Sequence, residues 1–191
     1  YVSVIQREID GYEQKRKELI NKINDQVKAG ANLYSNIRND FNKIVKEVLN
    51  SSALLSIKLN ASGNIDFSAD IVHYEKTMEI TSESKGTTYK KLLCAAFDLD
   101  VLKNYSQSSF FRFVYHDGIL EGFDNRKKNN FLKLARDYCT SYGLQYILTV
   151  ITADLPRDAE SDKVIEFKTE EIIRELSDEG QEGRLFNLEK F

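Results

Sequence analysis

The sequence predicts an α/β fold: a mostly parallel sheet flanked by helices, with a β-hairpin, preceded by a long coiled-coil helix. Three observations lead to this fold class. Apolar residues recur every three or four positions through the first 50 residues, which is a helical period. They then alternate with polar residues over 55–72, as in two half-buried strands. Residues 110–151 follow the order strand, helix, strand, which is a βαβ unit.

Composition narrows the class of protein. The 191 residues are 41% hydrophobic and 30% charged with a net charge of −3, which fits a domain with a real core and argues against a strongly basic nucleic-acid-coating surface. Only two histidines argue against a zinc site, and Cys94 and Cys139 are expected to be buried thiols in a reducing compartment. Since no membrane-length apolar run or signal peptide is visible, we predict a cytoplasmic protein with no membrane partner. The chain has no initiating Met, so we expect it to be a fragment, or the ordered portion, of a longer polypeptide.

Residues 1–50 are predicted to form a coiled-coil arm with a break near residues 29–32, where Gly30 interrupts the apolar pattern. One helix cannot bury such a seam alone, so a partner helix from this or another chain is required. The alternative is an ordinary amphipathic helix that lies on the globular domain. The seam residues are Ile5, Ile9, Tyr12, Leu19, Ile23, Leu33, Ile37, Phe41 or Ile44, and Val48.

A hairpin and a helix are predicted next. Leu55, Ile57 and Leu59 alternate with polar residues, and a turn at 61–64 leads to a second alternating run that ends near His73, interpreted as an ordinary histidine. A helix is predicted over 87–103, directly after the turn Ser84-Lys85-Gly86. Backbone N–H groups at such a helix start suit a phosphate, and the alternative is that Ser84 or Thr87 caps the helix.

The stretch 110–124, FFRFVYHDGILEGFD, carries the strongest chemical signal. An apolar run is expected to form a buried strand that ends at His116 and Asp117, and Asp124 opens the next helix seven residues later. Two carboxylates at the C-terminal edge of a strand are typical of the metal and phosphate sites of α/β nucleotide-binding proteins. The alternative is a core strand that ends in polar turn residues.

The rest of the chain completes the sheet. A helix is predicted over 124–142, ending at Gly143, followed by a strand over 144–151 whose near-continuous apolarity predicts burial on both faces. A loop around Pro156 leads to a helix over 168–177, and residues 183–191 are expected to form a last strand at the sheet edge.

The order of arm, Ser/Gly turn and strand–acid–loop–acid resembles the C-terminal half of an SMC-type or RecN-type ABC ATPase head. More closely, it resembles the uncharacterised bacterial family of SMC-like proteins with an S-x-G helix start, an H-D strand end and a terminal L-F motif, here Leu185-Phe186. The resemblance covers nearly the whole chain. It implies a coiled-coil arm over 1–50, the C-terminal strand of an antiparallel coiled coil, and the C-terminal half of a P-loop ABC-type head over 51–191.

The resemblance also implies roles for particular residues. Ser84-Lys85-Gly86 matches the signature turn, which contacts the γ-phosphate of ATP held by the opposite head. The strand that ends at Asp117 matches Walker B, so Asp117 would hold Mg²⁺ directly or through water. Asp124 matches the D-loop aspartate and would act across the dimer interface. The strand over 145–151 matches the one that leads to a switch histidine.

The sequence departs from the family pattern at the chemistry. Gly118 stands where such ATPases place a catalytic glutamate, which leaves Glu121 or His116, beside Asp117, as candidate catalytic residues. No histidine stands at the switch position, Lys85 replaces a signature glycine, and Thr87 stands where a glutamate is usual. The sequence also has no GxxxxGK[ST] loop, so ATP binding requires the N-terminal Walker A half of the head, in the same or another chain. We therefore expect either slow ATP hydrolysis or nucleotide binding that acts mainly as a switch.

Three functions are consistent with these features. The first is ATP-dependent dimerisation of heads that moves a coiled coil acting on DNA, in repair or in anti-phage defence. The second is a Mg²⁺-dependent nuclease that uses Asp117, Glu121 and Asp124. The third is a degenerate, non-hydrolysing scaffold or dimerisation module. DNA contact would fall to two basic clusters, and the alternative is that these are solvated helix faces: Arg126, Lys127 and Lys128, and Lys15, Arg16 and Lys17 on the arm.

Overall fold

A computed structural model describes residues 2–29, 32–60, 62, 64–73, 79–80, 86–158, 160–177, 179–181 and 183–184. The predicted α/β class is confirmed. The elements in chain order are α1 (Val2–Ala29), α2 (Asn32–Leu49), β1 (Ser52–Leu59), β2 (Ile65–His73), β3 (Glu79–Ile80), α3 (Thr87–Asn104), β4 (Phe113–Asp117), α4 (Asn125–Tyr142) and β5 (Gln145–Thr149). Short 3-10 turns at Thr152–Asp154 and Thr169–Glu171 follow.

The two helices of the arm differ in what covers their apolar residues. Ile5, Ile9, Tyr12 and Leu19 of α1 are exposed, so this stretch retains an uncovered apolar seam. The second half of α2 instead packs on the head. Three of the residues expected in the seam, Phe41, Ile44 and Val48, are fully buried there. The second half of α2 therefore behaves as the amphipathic helix of the alternative interpretation, while the coiled-coil arm stays a prediction for α1.

The predicted hairpin is confirmed. Strands β1 and β2 pair antiparallel from Ser52 opposite Val72 to Leu59 opposite Ile65, and β3 adds a short third strand beside β2. Side chains of α2 hold the hairpin to the helix, because the Ala53 N–H donates to Asn42 Oδ1 at 2.9 Å and the Ile57 N–H to the Tyr34 hydroxyl at 3.3 Å.

The predicted βαβ unit is also confirmed. Strands β4 and β5 run parallel, from Phe113 beside Gln145 to Asp117 beside Thr149, and α4 connects them. The helix ends are set by sequence. Asp124 is the N-cap and accepts a hydrogen bond from the Lys127 N–H at 2.9 Å, and Gly143 ends α4 in the left-handed region at φ +63°.

One hydrophobic core joins the arm base, the hairpin and the βαβ unit. It is built from the inward faces of α2, α3 and α4 and from the apolar side chains of the loop after β4. The largest fully buried side chains are Phe41, Ile44, Ile71, Leu92, Leu99, Ile119, Leu120, Phe131 and Leu134. Because Ile119 and Leu120 are anchored in this core, the loop that follows Asp117 has a fixed position.

Some predictions do not hold. Strand β4 is not a buried strand, because its side chains alternate between half-buried on the face toward α3 and exposed on the other face. Strand β5 is not buried on both faces either, since its side chains are exposed or half-buried. The helix predicted over 168–177 is wrong: only Thr169–Glu171 forms a 3-10 turn, held by a bidentate ion pair between Arg136 and Glu171. Cys94 is exposed, not buried.

The last predicted strand and the Leu185-Phe186 motif lie outside the described residues, except for Gly183 and Arg184, which belong to no strand. In the described part of the chain, none of the helices combines the length and the apolar character needed to cross a bilayer.

Candidate functional site

The candidate site lies where β4 and β5 end. The loop 118–123, the start of α4 and the start of α3 meet at this edge. In open α/β sheets, ligands bind beyond the carboxyl ends of parallel strands, where loops and helix N-termini converge. The chain therefore places its polar residues at the edge where this fold builds binding sites.

Asp117 is the last residue of β4, with its side chain on the exposed face of the sheet. Thr149, its register partner on β5, donates a hydrogen bond from Oγ1 to Asp117 Oδ1. The Gly118 N–H also donates to the Thr149 carbonyl oxygen at 3.3 Å. The carboxylate is therefore oriented by the neighbouring strand while it stays open to solvent. Thr149 was not predicted, because strand register is not visible in the sequence.

This arrangement fits a magnesium ligand. Mg²⁺ is usually held by one or two carboxylates together with substrate phosphates and water, so a protein cage of several acids is not needed. One oriented, exposed carboxylate at the end of a parallel strand meets that requirement. Asp117 would hold the ion, and the Thr149 hydroxyl would fix the carboxylate in place.

His116 faces away from Asp117. Successive side chains of a strand point to opposite faces, and His116 lies on the half-buried face toward α3. Its Nε2 lies 3.0 Å from Asp98 Oδ2 and its Nδ1 lies 2.7 Å from the Tyr146 hydroxyl. Burial raises the pKa of Tyr146, so its hydroxyl keeps its proton and can donate to Nδ1. The structure therefore does not bring His116 to the carboxylate of Asp117.

Glu121 lies close to Gly118. Its carboxylate forms an ion pair with Lys91 of α3, with Lys91 Nζ 2.6 Å from Glu121 Oε2. A Cβ atom placed on Gly118 would lie 3.7 Å from Glu121 Oε2 and 3.9 Å from Lys91 Nζ. The ion pair thus lies beside Gly118, the position at which the resemblance leads us to expect a glutamate. Lys91 was also missed, because it lies 30 residues away in the chain.

The loop after β4 packs closely on the start of α3. Gly122 has φ +77°, and a Cβ atom there would lie 2.7 Å from Thr88 Oγ1. Both the left-handed conformation and the close approach favour glycine at this position. Together with the Lys91–Glu121 pair, this contact fixes the first turns of α3 against the loop between Asp117 and Asp124.

Asp124 is occupied by its own helix. It accepts from the Lys127 N–H, and Lys127 Nζ lies 3.0 Å from Asp124 Oδ2 and 3.3 Å from the Tyr89 hydroxyl of α3. The hydrogen bond from the Lys127 backbone lowers the pKa of Asp124, so the carboxylate is charged at neutral pH. Asp124 thus holds Lys127, and the Lys127 side chain links the start of α4 to the start of α3 through Tyr89.

The turn Ser84-Lys85-Gly86 is described only at Gly86, and Ser84 and Lys85 lie outside the described residues. Gly86 is the N-cap of α3 with φ −69° and ψ 137°, and it makes no side-chain cap. Thr87 is the first residue of the helix, so it is not the cap that the alternative interpretation required.

The three acids of the nuclease hypothesis do not converge on one ion. Asp117 is paired with Thr149, Glu121 with Lys91 and Asp124 with Lys127. Among the described residues, no group of three metal-ligating side chains could hold a metal ion. This arrangement does not support a nuclease centre of the kind that gathers several carboxylates.

The basic cluster of α4 is not a continuous positive surface. Lys128 is buried with Nζ 3.7 Å from Asp154 Oδ1, and Lys127 is engaged by Asp124 and Tyr89. Arg126 is exposed. Of the three residues predicted to contact DNA on α4, only Arg126 lies open to solvent, since Lys127 is only half-exposed.

One face of the βαβ unit has no cover among the described residues. Phe113 and Tyr115 of β4 are 54% and 53% exposed, on the same face as Asp117. Parallel strands are usually covered on both faces, and an isolated two-stranded sheet is only marginally stable. An open groove of about 440 Å³ between α3 and β4 continues this aromatic surface.

Comparisons with solved structures find SMC head domains. An SMC ATPase studied for ATP-driven dimerisation and DNA-stimulated activation shares 18% identity at a TM-score of 0.45, over 72% of this chain and 86% of that chain. An SmcHead bound to the C-winged helix domain of ScpA shares 16% identity at a TM-score of 0.46, over 71% of this chain and 42% of that chain. The Smc head with an extended coiled coil from Pyrococcus furiosus, bound to the C-terminal domain of ScpA, shares 17% identity at a TM-score of 0.43. That alignment covers 78% of this chain and 37% of the other, so this chain spans less than half of the latter two structures.

Comparisons with sequences give one family. No curated protein matches the chain. The model of the family described as "Uncharacterised protein conserved in bacteria (DUF2326)" matches residues 44–190, which include β4, the following loop and α4. The predicted membership of an uncharacterised bacterial family is confirmed: the chain belongs to the DUF2326 family of bacterial proteins.

Proposed function

We propose that this chain is the C-terminal half of an ATP-binding head, whose ATP-dependent dimerisation moves a coiled coil that acts on DNA, in repair or in defence against foreign DNA. One observation carries the proposal. Asp117, Asp124 and the start of α3 lie along a single edge of the parallel strands, joined by the Lys91–Glu121 ion pair and the contact of Gly122 with Thr88. These are the positions that the resemblance assigns to Walker B, the D-loop and the signature turn.

The residues at this edge of the sheet have different roles in the proposed head. Asp117 holds Mg²⁺, oriented by Thr149, and the bound ion supplies charge neutralisation for the phosphates. Asp124 and Gly86 stand at the starts of α4 and α3, where they face a second head in the proposed dimer. Glu121 is the acid nearest to the Gly118 position, but Lys91 holds its carboxylate. To accept a proton from an attacking water, Glu121 would first have to leave its ion pair with Lys91, which supports slow turnover or nucleotide binding as a switch.

The uncovered aromatic face supports the proposed partner. Phe113 and Tyr115 present an apolar surface beside Asp117, and the N-terminal half that carries the Walker A loop would cover it. The phosphates would then lie between that loop and Asp117. The exposed seam of α1 would pair with the returning helix of the same half. A chain without that half is expected to bind ATP poorly.

Titration with a fluorescent ATP analogue and Mg²⁺ tests this division of the site. The chain alone is expected to bind at least ~100-fold more weakly than an assembled head, defined as this chain joined to its Walker A half, because the phosphate-cradling loop supplies most of the contacts to the phosphates. An assembled head whose Walker A lysine is replaced by alanine is the control. No ATP binding by an assembled head with an intact Walker A loop would contradict the proposal.

A further inference from the structure

A buried acid pair lies where the arm joins the head, away from the candidate site. Asp100 of α3 is fully buried, and Asp40 of α2 is 9% exposed. Asp100 Oδ2 has no hydrogen-bond partner among the described residues. A buried polar group without a partner is costly, and a buried ionised carboxylate without one is far more so. The state of this carboxyl group therefore matters for how α2 and α3 pack.

The two carboxyl groups share one donor. Asn104 Nδ2 lies 2.7 Å from Asp100 Oδ1 and 3.4 Å from Asp40 Oδ2, so a single amide group bridges α3 and α2. The two neighbouring lysines, in contrast, pair with only one of the two carboxyl groups. Lys103 Nζ lies 2.9 Å from Asp40 Oδ2 and Lys43 Nζ lies 3.2 Å from Asp40 Oδ1. Both lysines therefore satisfy Asp40, and Asp100 makes no ion pair among the described residues.

Helix α4 closes the cluster from the other side. Lys103 Nζ lies 5.7 Å from the centre of the Tyr138 ring and 5.5 Å from that of Tyr142. Burial raises the pKa of Tyr138 well above its usual range, and the nearby charges of Asp40 and Glu47 act in the same direction. The charged groups that act on Asp100 are Asp40 of α2 and Lys103 of α3. The other titratable groups of the cluster are Lys43 and Glu47 of α2 and Tyr138 and Tyr142 of α4.

We propose that Asp100 is a proton-binding site that closes the joint between α2 and the head: with a proton on Asp100 the acid pair packs against Asn104, and loss of that proton loosens α2 from α3. Two like charges that share one buried site cannot both ionise without penalty, so the pair keeps one proton. Asp40 is the charged member because Lys103 and Lys43 pair with it, and Asp100 is the protonated member.

The electrostatics agree with this geometry. Burial, and after it the charge of Asp40, raise the pKa of Asp100 to about 8. Burial alone would raise the pKa of Asp40, but the hydrogen bonds from Lys103 and Lys43 lower it overall. Because the pKa of Asp100 is higher in the folded chain than in the unfolded chain, the folded state is favoured at acidic pH. That stabilisation decreases as the pH rises from the unfolded value near 4 through about 8.

Urea unfolding of the chain between pH 5 and pH 9 tests the proposal. The folding equilibrium of the wild type is expected to weaken by up to tenfold per pH unit in this range, the limit for one proton. The Asp100→Asn variant, which keeps the shape without the titrating group, should lose this pH dependence and exceed the wild type in stability at pH 9. The Asp137→Asn variant, at an exposed aspartate of α4, should keep the wild-type dependence.

Two further readouts locate the effect. Carbon NMR of the aspartate carboxyl groups in the wild type should show one aspartate that titrates near pH 8, a measurement that does not require the variant to fold. Amide exchange, corrected for its intrinsic pH dependence, should become faster in the second half of α2 between pH 6 and pH 9 in the wild type alone. The proposal is overturned if every aspartate titrates below pH 6, if Asp100→Asn keeps the wild-type pH dependence, or if exchange in α2 is unchanged.

Discussion

Replacement of Asp117 by asparagine in the assembled head is expected to weaken Mg²⁺-dependent ATP binding by on the order of 100-fold, about 2.7 kcal/mol. The substitution keeps the size of the side chain and its hydrogen bond with Thr149 but removes the negative charge that would hold the ion. Isothermal titration with Mg²⁺-ATP, compared with ATP in EDTA, measures the effect. The loss should appear only in the presence of Mg²⁺.

Two matched variants sharpen this test. Thr149→Val keeps the carboxylate but removes the hydroxyl that orients it, so a smaller loss of about tenfold is expected. Asp137→Asn changes an exposed aspartate of α4 and should leave binding unchanged. Equal Mg²⁺-ATP affinity in Asp117→Asn and the wild type would remove Asp117 from the site.

Replacement of Phe131 by alanine is expected to reduce the free energy of unfolding by about 3–5 kcal/mol. Phe131 is fully buried on the inward face of α4, and its ring packs edge-on against Tyr146 of β5 at a centroid distance of 5.7 Å. Truncation of the ring leaves a cavity in the core that α2, α3 and α4 share. Since small domains are stable by only about 5–15 kcal/mol, this loss is a large part of the total. Urea unfolding followed by circular dichroism measures it.

The same substitution on the exposed face serves as the control. Phe113→Ala changes a side chain that is 54% exposed, so its effect on the unfolding of the chain alone should be within about 0.5 kcal/mol. In the assembled head the Walker A half is proposed to cover Phe113, and there the variant should weaken association of the two halves. Comparable losses for Phe113→Ala and Phe131→Ala in the chain alone would contradict the described packing.

Local signals predicted most of the fold. Asp124 and Gly143 mark the two ends of α4 in the sequence, and the structure uses both as caps. The hairpin and the βαβ unit follow from periodicity, and the change of period after residue 50 locates the start of the strands. These elements depend on residues that are close together in the chain, so the local pattern of the sequence predicts them.

Other features depend on long-range packing and could not be predicted. Apolar residues over 168–177 have a helical pattern, but Arg136 of α4 holds Glu171 in a 3-10 turn. The exposed face of β4 carries the same aromatic residues that would fill a covered sheet, so its sequence does not show that a cover is missing. Asp100 lies beside Leu99 in α3, and its environment is unusual because it is fully buried and Asp40 of α2 lies close to it.

In the candidate site, too, local features were predictable and long-range contacts were not. The positions of Asp117 and Asp124 at the end of a strand and the start of a helix were predicted from their spacing, and the structure places both on one edge. Thr149 and Lys91, which orient Asp117 and Glu121, are distant in sequence and carry no motif.

The central claim, ATP-dependent dimerisation of heads that contain this chain, is tested most directly by sedimentation velocity of the assembled head truncated before α2, which keeps the core residues of that helix. We predict a monomer without nucleotide and a dimer with Mg²⁺-ATP, and a monomer under both conditions for Asp117→Asn. A wild-type head that binds Mg²⁺-ATP yet sediments as a monomer at every concentration tested would contradict the claim.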